Sequence, residues 1–149
     1  MNSIIQSSTS VILISSIYNT LHTIYSTNSF QVRKSIASFI PSLYNQFMQL
    51  QSSSPFQPIT TNTLVELRTI YFHLCEDNRL LVRREASRQF IDCYTAFGIS
   101  HFSKFLALLK TFLNDDVGID RANYNRTQFE LSCFLAFRSS FLSVLIGLI

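Results

Sequence analysis

Glycine, proline and charged side chains are scarce in this sequence of 149 residues, and tryptophan is absent. Three glycines and three prolines are too few for the many tight turns of a β-sandwich, so long helices are favoured. Charged residues make up 14% and hydrophobic residues 47%, which argues against a disordered chain. The net charge of +3 is small, and Lys and Arg occur singly or in twos, so no nucleic-acid partner is expected.

Residues that build catalytic and metal sites are equally sparse. The spacing of Cys75, Cys93 and Cys133 matches no zinc or redox motif, which predicts reduced, buried thiols in a cytoplasmic protein. His73 and Cys75 are two positions apart and would point to different faces of one helix, away from any shared reaction centre. The sequence therefore predicts no enzyme, no cofactor and no metal site.

The two ends of the chain could be confused with targeting segments. Residues 1–10 lack the positive charge of a signal peptide and are expected to form a tail. Residues 138–149 form an apolar tail, but the stretch after Ser140 is shorter than the roughly 20 apolar residues a membrane helix needs. Arg138 also counts against insertion. The expected location is the cytoplasm, with the nucleus as a second compartment; a tail-anchored, membrane-associated helical protein is the alternative.

Three pairs, each of a polar residue and an arginine six positions later, lie between apolar segments of helical spacing. The pairs are Thr27 with Arg33, Asp77 with Arg83, and Asp115 with Arg121. Before and after each pair, apolar residues recur at steps of three, four and seven, which return to one face of an α-helix. Each pair therefore marks a turn between two amphipathic helices, and the whole pattern predicts an all-α protein.

Three helix pairs are predicted, over residues 11–50, 62–97 and 101–137, arranged as an α-solenoid. The serine and proline content of residues 51–61 predicts a loop between the first two pairs, with Thr61 or Asn62 capping the next helix. In such a stack the paired aspartates and arginines would form a ladder, joined by bidentate contacts between neighbouring units. The alternative is that they are solvated charges at separate turns.

The spacing of the pairs and the Val-Arg dipeptides at 32–33 and 82–83 resemble HEAT repeats, which are armadillo-like helical arrays. The segment LVELRTIYFHLCEDNRLLVRREASRQF is similar to early-to-middle repeats of the scaffold (regulatory A) subunit of protein phosphatase 2A. The matching turn residues are Cys75, Asp77, Val82, Arg83, Arg84 and Ala86. The likeness covers about residues 11–125 and is strongest in the middle unit.

The resemblance implies a non-catalytic phosphatase regulator whose turns bind proteins, namely phosphatase regulatory and catalytic subunits. Early turns in that family receive the regulatory subunit. The corresponding partner-binding residues here would be Ser29, Phe30, Asn78, Arg79, Arg84, Asp116 and Val117. Ser29 stands where the family has tryptophan, and Asn78 where it has a second aspartate. A truncated repeat fragment without independent activity is a further alternative.

Overall fold

A computed structural model describes residues 16, 19–23, 25–26, 29–53, 57–114, 131–138, 142 and 146. All regular structure among these residues is helical and none of them lies in a strand, so the all-α prediction is confirmed. The helices are α1 (Phe30–Ser53), α2 (Gln57–Cys75), α3 (Leu80–Arg88), α4 (Phe90–Phe97) and α5 (Phe102–Asn114). A 3-10 turn over Ile99–His101 precedes α5, and residues 19–23 and 131–138 are also helical.

Helix α1 is the element against which the next three helices pack. Its buried residues Ile36, Ile40, Tyr44 and Phe47 are three or four positions apart and therefore lie on one face. Helix α1 contacts α2, α3 and α4. Pro41 lies within α1 and has no N–H, so one helical hydrogen bond is missing at that point.

The second half of the predicted unit over 62–97 is divided into two helices. The division is at Gln89, whose backbone has φ −89° and ψ 2°. Helical hydrogen bonding nevertheless continues, because the N–H of Gln89 donates to the carbonyl of Glu85 and the N–H of Cys93 donates to that of Gln89. Helix α4 ends at Phe97, and the next residue, Gly98, has a φ of +93°, a conformation that glycine adopts without strain.

The prediction of a loop over residues 51–61 is wrong for most of these residues. Helix α1 continues to Ser53, and α2 begins at Gln57. Serine is accommodated in the last turn of α1 because the hydroxyl of Ser52 donates to the carbonyl of Gln49, at 2.8 Å. A serine-rich composition therefore did not end the helix here.

The start of α2 also differs from the expected one. Pro58 falls in the first turn, where the backbone N–H groups have no partner within the helix, so proline removes no helical hydrogen bond there. Thr61 and Asn62, which were expected to cap the helix, lie inside it. The predicted cap is thus wrong by about one turn.

A single hydrophobic core runs through the described helices, with buried residues from Leu21 to Phe137 in one cluster. At its centre lies the aromatic interior, made of fully or nearly fully buried rings of α2, α4 and α5. Its members are Tyr71, Phe90, Tyr94, Phe97 and Phe105. Phe137, from the helical residues 131–138, packs against Tyr94 with ring centroids 4.8 Å apart.

The predicted N-terminal tail over residues 1–10 lies outside the described residues. Of the predicted C-terminal tail over 138–149, residues 138, 142 and 146 are described, and they are helical. Leu142 and Ile146 expose 47% and 70% of their surface. Among the described parts of the chain, no helix has the length and apolar character needed to cross a membrane.

Candidate functional site

The turn between α2 and α3 is built around Asp77. Its carboxylate oxygen Oδ1 accepts the backbone N–H of Arg79 at 2.8 Å, the local contact by which aspartate commonly stabilises a turn. The carbonyl of Arg79 then accepts the N–H groups of Val82 and Arg83, which begin α3. Asp77 therefore determines where the chain leaves α2 and enters the next helix.

Arg33 of α1 reaches the same aspartate from the helix that precedes α2. Its Nε donates to Oδ2 of Asp77 at 2.6 Å, and its Nη2 donates to Oδ1 at 3.1 Å. The two side chains are only 14% and 9% exposed, so the pair is shielded from water on most sides. A bidentate, shielded pair is both stronger and more directional than a solvated surface pair. The contact joins two positions that are 44 residues apart in the chain.

Arg83 approaches Asp77 from the other side. Its Nη1 donates to the backbone carbonyl of Asp77 at 2.9 Å. Two arginines therefore converge on this residue, one on its carboxylate and one on its main chain. Of the six ladder positions predicted from the sequence, the structure brings these three together; Thr27, Asp115 and Arg121 lie outside the described residues.

Burial and neighbouring charges shift the pKa values of Arg33 and of Tyr25 at this contact. The hydrogen bond to Asp77 raises the pKa of the Arg33 guanidinium, against a smaller opposing effect of burial. Tyr25 lies close by, and burial raises the pKa of its hydroxyl; the charge of Asp77 raises it further and that of Arg33 lowers it. Arg33 is thus a cation and Tyr25 a neutral phenol at pH 7.

The partly buried Phe30 and the exposed Arg79 form a rim beside the ion pair. The guanidinium carbon of Arg79 lies 5.5 Å from the centroid of the Phe30 ring, within the range of a cation–π contact. Ser29, which precedes α1, donates its hydroxyl to Oε1 of Gln31 at 3.0 Å. We call Ser29, Phe30, Asp77, Asn78 and Arg79 the turn edge.

Four of the seven partner-binding residues predicted from the resemblance belong to the turn edge: Ser29, Phe30, Asn78 and Arg79. Asn78 and Arg79 are exposed, while Ser29 and Phe30 are partly buried. Arg84 lies farther along α3 and is partly buried as well. Asp116 and Val117 lie outside the described residues.

A groove that no sequence pattern had indicated extends from the turn edge between α1 and α3. Its volume is about 450 Å³, and its walls are formed by Phe30, Gln31, Lys34, Ser35, Ser38, Leu81 and Glu85. A second cavity of about 360 Å³ shares Ser38 and continues between α1 and α4. The groove was missed because its two walls are far apart in sequence. The serines at positions 35, 38 and 42, at helical spacing, are the signal that could have marked one wall as polar.

The cysteines lie in the core and offer no reactive group. Burial raises the pKa of Cys133 to about 12 and raises those of Cys75 and Cys93 as well. Thiols protonated at neutral pH are poor nucleophiles and poor metal ligands. Among the residues that the structure describes, no group of three or more histidines, cysteines and carboxylates could hold a metal ion.

Comparisons with protein-family models, with curated proteins and with solved structures each found no match to this chain. The resemblance to HEAT repeats and to the phosphatase scaffold therefore stays a prediction that rests on the residues quoted above.

Proposed function

We propose that the chain is a non-catalytic scaffold, an α-solenoid of HEAT-like helix pairs that binds other proteins through its turns. The observation that carries the proposal is the bidentate contact between Arg33 and Asp77. These residues occupy corresponding turns of consecutive predicted units, where a repeat protein would hold each unit against its neighbour. The contact favours a stack of helix pairs rather than a set of helices that only share a hydrophobic core.

The helix order is consistent with this arrangement. Residues 19–23 and α1 would form the first pair, α2 with α3 and α4 the second, and α5 with residues 131–138 the third. Helix α1 contacts α2 and also α3 and α4, so the first pair meets both halves of the second. In a stack of repeats each unit contacts its neighbours in this way.

The turn edge is the surface we propose for partner binding. Arg79 is exposed over the ring of Phe30, so the edge combines a cation with an aromatic ring. Arginine and aromatic side chains are enriched among the residues that contribute most to protein interfaces. By the resemblance stated above, the partner we propose is a protein phosphatase 2A regulatory subunit, bound through an acidic part of its surface.

The test is capture of a purified phosphatase 2A regulatory subunit by the immobilised chain. We expect Arg79→Glu and Arg84→Glu to weaken capture by about 5-fold or more, because each places a negative charge before an acidic partner. The matched control is Lys110→Glu on α5, an exposed position away from the turn edge. Circular dichroism verifies that helicity is unchanged in every variant.

Two results would overturn the proposal. One is that the wild-type chain captures neither a regulatory nor a catalytic subunit. The other is that Arg79→Glu, Arg84→Glu and Lys110→Glu all bind as the wild type does, which would place the interface elsewhere.

A further inference from the structure

We propose that the groove between α1 and α3 binds an extended, acidic segment of a partner protein, an inference that rests on the scaffold function proposed above. The groove begins at Phe30, which also belongs to the turn edge, so a partner docked on that edge lies at its mouth. The inference adds a specific peptide site to the general surface already assigned.

The charge of the groove favours an acidic ligand. Lys34 lines the wall contributed by α1, and Arg79 stands over Phe30 at the mouth. Among the described residues, neither cation is paired with a carboxylate; the ion pairs there join Arg33 to Asp77 and Arg88 to Glu85. Two cations without a counterion among the described residues are complementary to carboxylates supplied by a partner.

Glu85 lines the groove but does not cancel this charge. Its Oε2 accepts a hydrogen bond from Nη1 of Arg88 at 2.9 Å, and its Oε1 accepts one from the side-chain amide of Gln89 at 3.3 Å. The carboxylate is thus already neutralised and hydrogen-bonded by its own helix and the residue after it. The net charge presented to a ligand comes from Lys34 and Arg79.

The remaining wall residues suit a peptide backbone with an apolar side chain. Leu81 exposes 43% of its surface in the groove and, with Phe30, offers apolar contact. The hydroxyls of Ser35 and Ser38 donate to carbonyls of their own helix, at 3.0 and 2.7 Å. Their oxygen lone pairs can still accept N–H groups from a bound chain.

The length of the path fits a short extended segment. The groove and the second cavity are both lined by Ser38, and their lining residues on α1 run from Phe30 to Asn45. At 1.5 Å per residue this is roughly 22 Å, which an extended peptide covers with about seven residues. Asp92 lines the far end, so the acidic residues of the segment should lie at the end nearer Lys34.

Fluorescence anisotropy with two labelled peptides tests the inference. The probe has glutamates around a leucine at one end and serines at the other, and the control probe has glutamines in place of the glutamates. We expect tighter binding of the acidic probe, with an affinity that falls as salt is added, because exposed charges are screened. Lys34→Glu should weaken its binding by about 5-fold or more, whereas Lys110→Glu should leave it unchanged.

A second variant separates the apolar contact from the charges. Leu81→Asn should weaken both probes equally, because the leucine is common to them, and should leave the salt dependence unchanged. Circular dichroism and the thermal midpoint are measured for each variant, and Lys34→Gln replaces Lys34→Glu if the latter unfolds. Equal affinity for the two probes, or acidic binding that is insensitive to both changes at Lys34, would overturn the groove assignment.

The same variants distinguish this inference from the proposed function. If Arg79→Glu abolishes capture of the regulatory subunit while the acidic probe binds no better than its control, the groove assignment fails and the scaffold function stands. If the acidic probe binds and responds to Lys34→Glu but no phosphatase subunit is captured, the groove stands and the phosphatase partner fails.

Discussion

The turn edge and the aromatic interior join helices by opposite means. At the turn edge, one bidentate ion pair connects α1 to the turn after α2, with donor–acceptor distances of 2.6 and 3.1 Å. In the interior, the ring of Phe105 on α5 contacts five other aromatic rings, with distances between ring centroids of 6.1 Å or less. One region depends on a few directional contacts and the other on many non-directional ones.

The two kinds of contact have different consequences. Burial of large rings supplies most of the free energy of folding, but it tolerates small displacements and specifies register weakly. A bidentate guanidinium–carboxylate pair contributes less energy but is satisfied in one geometry only. We infer that the interior holds the helices together, and that Arg33 and Asp77 fix the relative position of the turns that carry Phe30 and Arg79.

The largest expected loss of stability follows from a substitution in the aromatic interior. Phe105→Ala should lower the free energy of unfolding by about 3–5 kcal/mol, because it removes a fully buried ring and leaves a cavity among its neighbours. Urea denaturation followed by circular dichroism measures the change. The matched control is Phe39→Ala on α1, whose side chain is 44% exposed and should cost about 1 kcal/mol or less. Similar losses for the two variants would contradict the assignment of stability to the interior.

A smaller loss of stability is expected when a buried hydroxyl group is removed from the interior. The hydroxyl of Tyr71 donates to the carbonyl of Ala86 at 2.9 Å and links α2 to α3. Tyr71→Phe should cost about 1 kcal/mol, because the side chain is fully buried and water cannot replace the lost donor. Tyr44→Phe is the control: its hydroxyl accepts from Arg68 at 2.6 Å, and the partly exposed guanidinium can turn to water. A greater loss from Tyr44→Phe would show that the interior link is unimportant.

The smallest expected effect is a pH dependence at the border of the interior. Burial lowers the pKa of His101, and the charge of Arg68 lowers it further. The unfolded chain therefore takes up a proton before the folded one, and stability should fall as the pH is lowered through the ordinary histidine pKa of about 6.5. Below the pKa of His101 in the folded protein, the histidine is protonated in both states and no longer contributes to the fall in stability.

Unfolding free energies at about pH 7.5 and about pH 5 measure the effect of His101. His101→Gln should reduce the decline between these two values. A decline that is unchanged in this variant would mean that it does not come from His101.

The helical class and the meeting of Arg33 with the turn at Asp77 could be predicted because both follow from spacing. Apolar residues at steps of three, four and seven select a helix, and the interruption of that pattern by polar residues around Asp77 marks a turn. The ends of α1 and α2 could not be predicted. Serine and proline at 51–61 signal a loop by composition, but serine can bond to its own helix and proline fits a first turn.

The groove and the break at Gln89 were also beyond sequence reasoning, for a different reason. The walls of the groove come from α1 and from α3, about 50 residues apart, and their facing depends on packing that no local pattern encodes. Gln89 interrupts the helix without a glycine or proline, so no residue signals the break. Thr27, Asp115, Asp116, Val117 and Arg121 stay predictions, because they lie outside the described residues.

A double-mutant cycle between Arg33 and Asp77 tests the central claim most directly. Arg33→Met keeps the aliphatic stem, and Asp77→Asn keeps an oxygen for the N–H of Arg79 while removing the charge. Unfolding free energies of the wild type, the two single variants and the double variant give the coupling energy. We predict a stabilising coupling of about 1–3 kcal/mol, as expected for a shielded, bidentate pair. A coupling indistinguishable from zero would contradict the claim that this pair holds the two turns side by side.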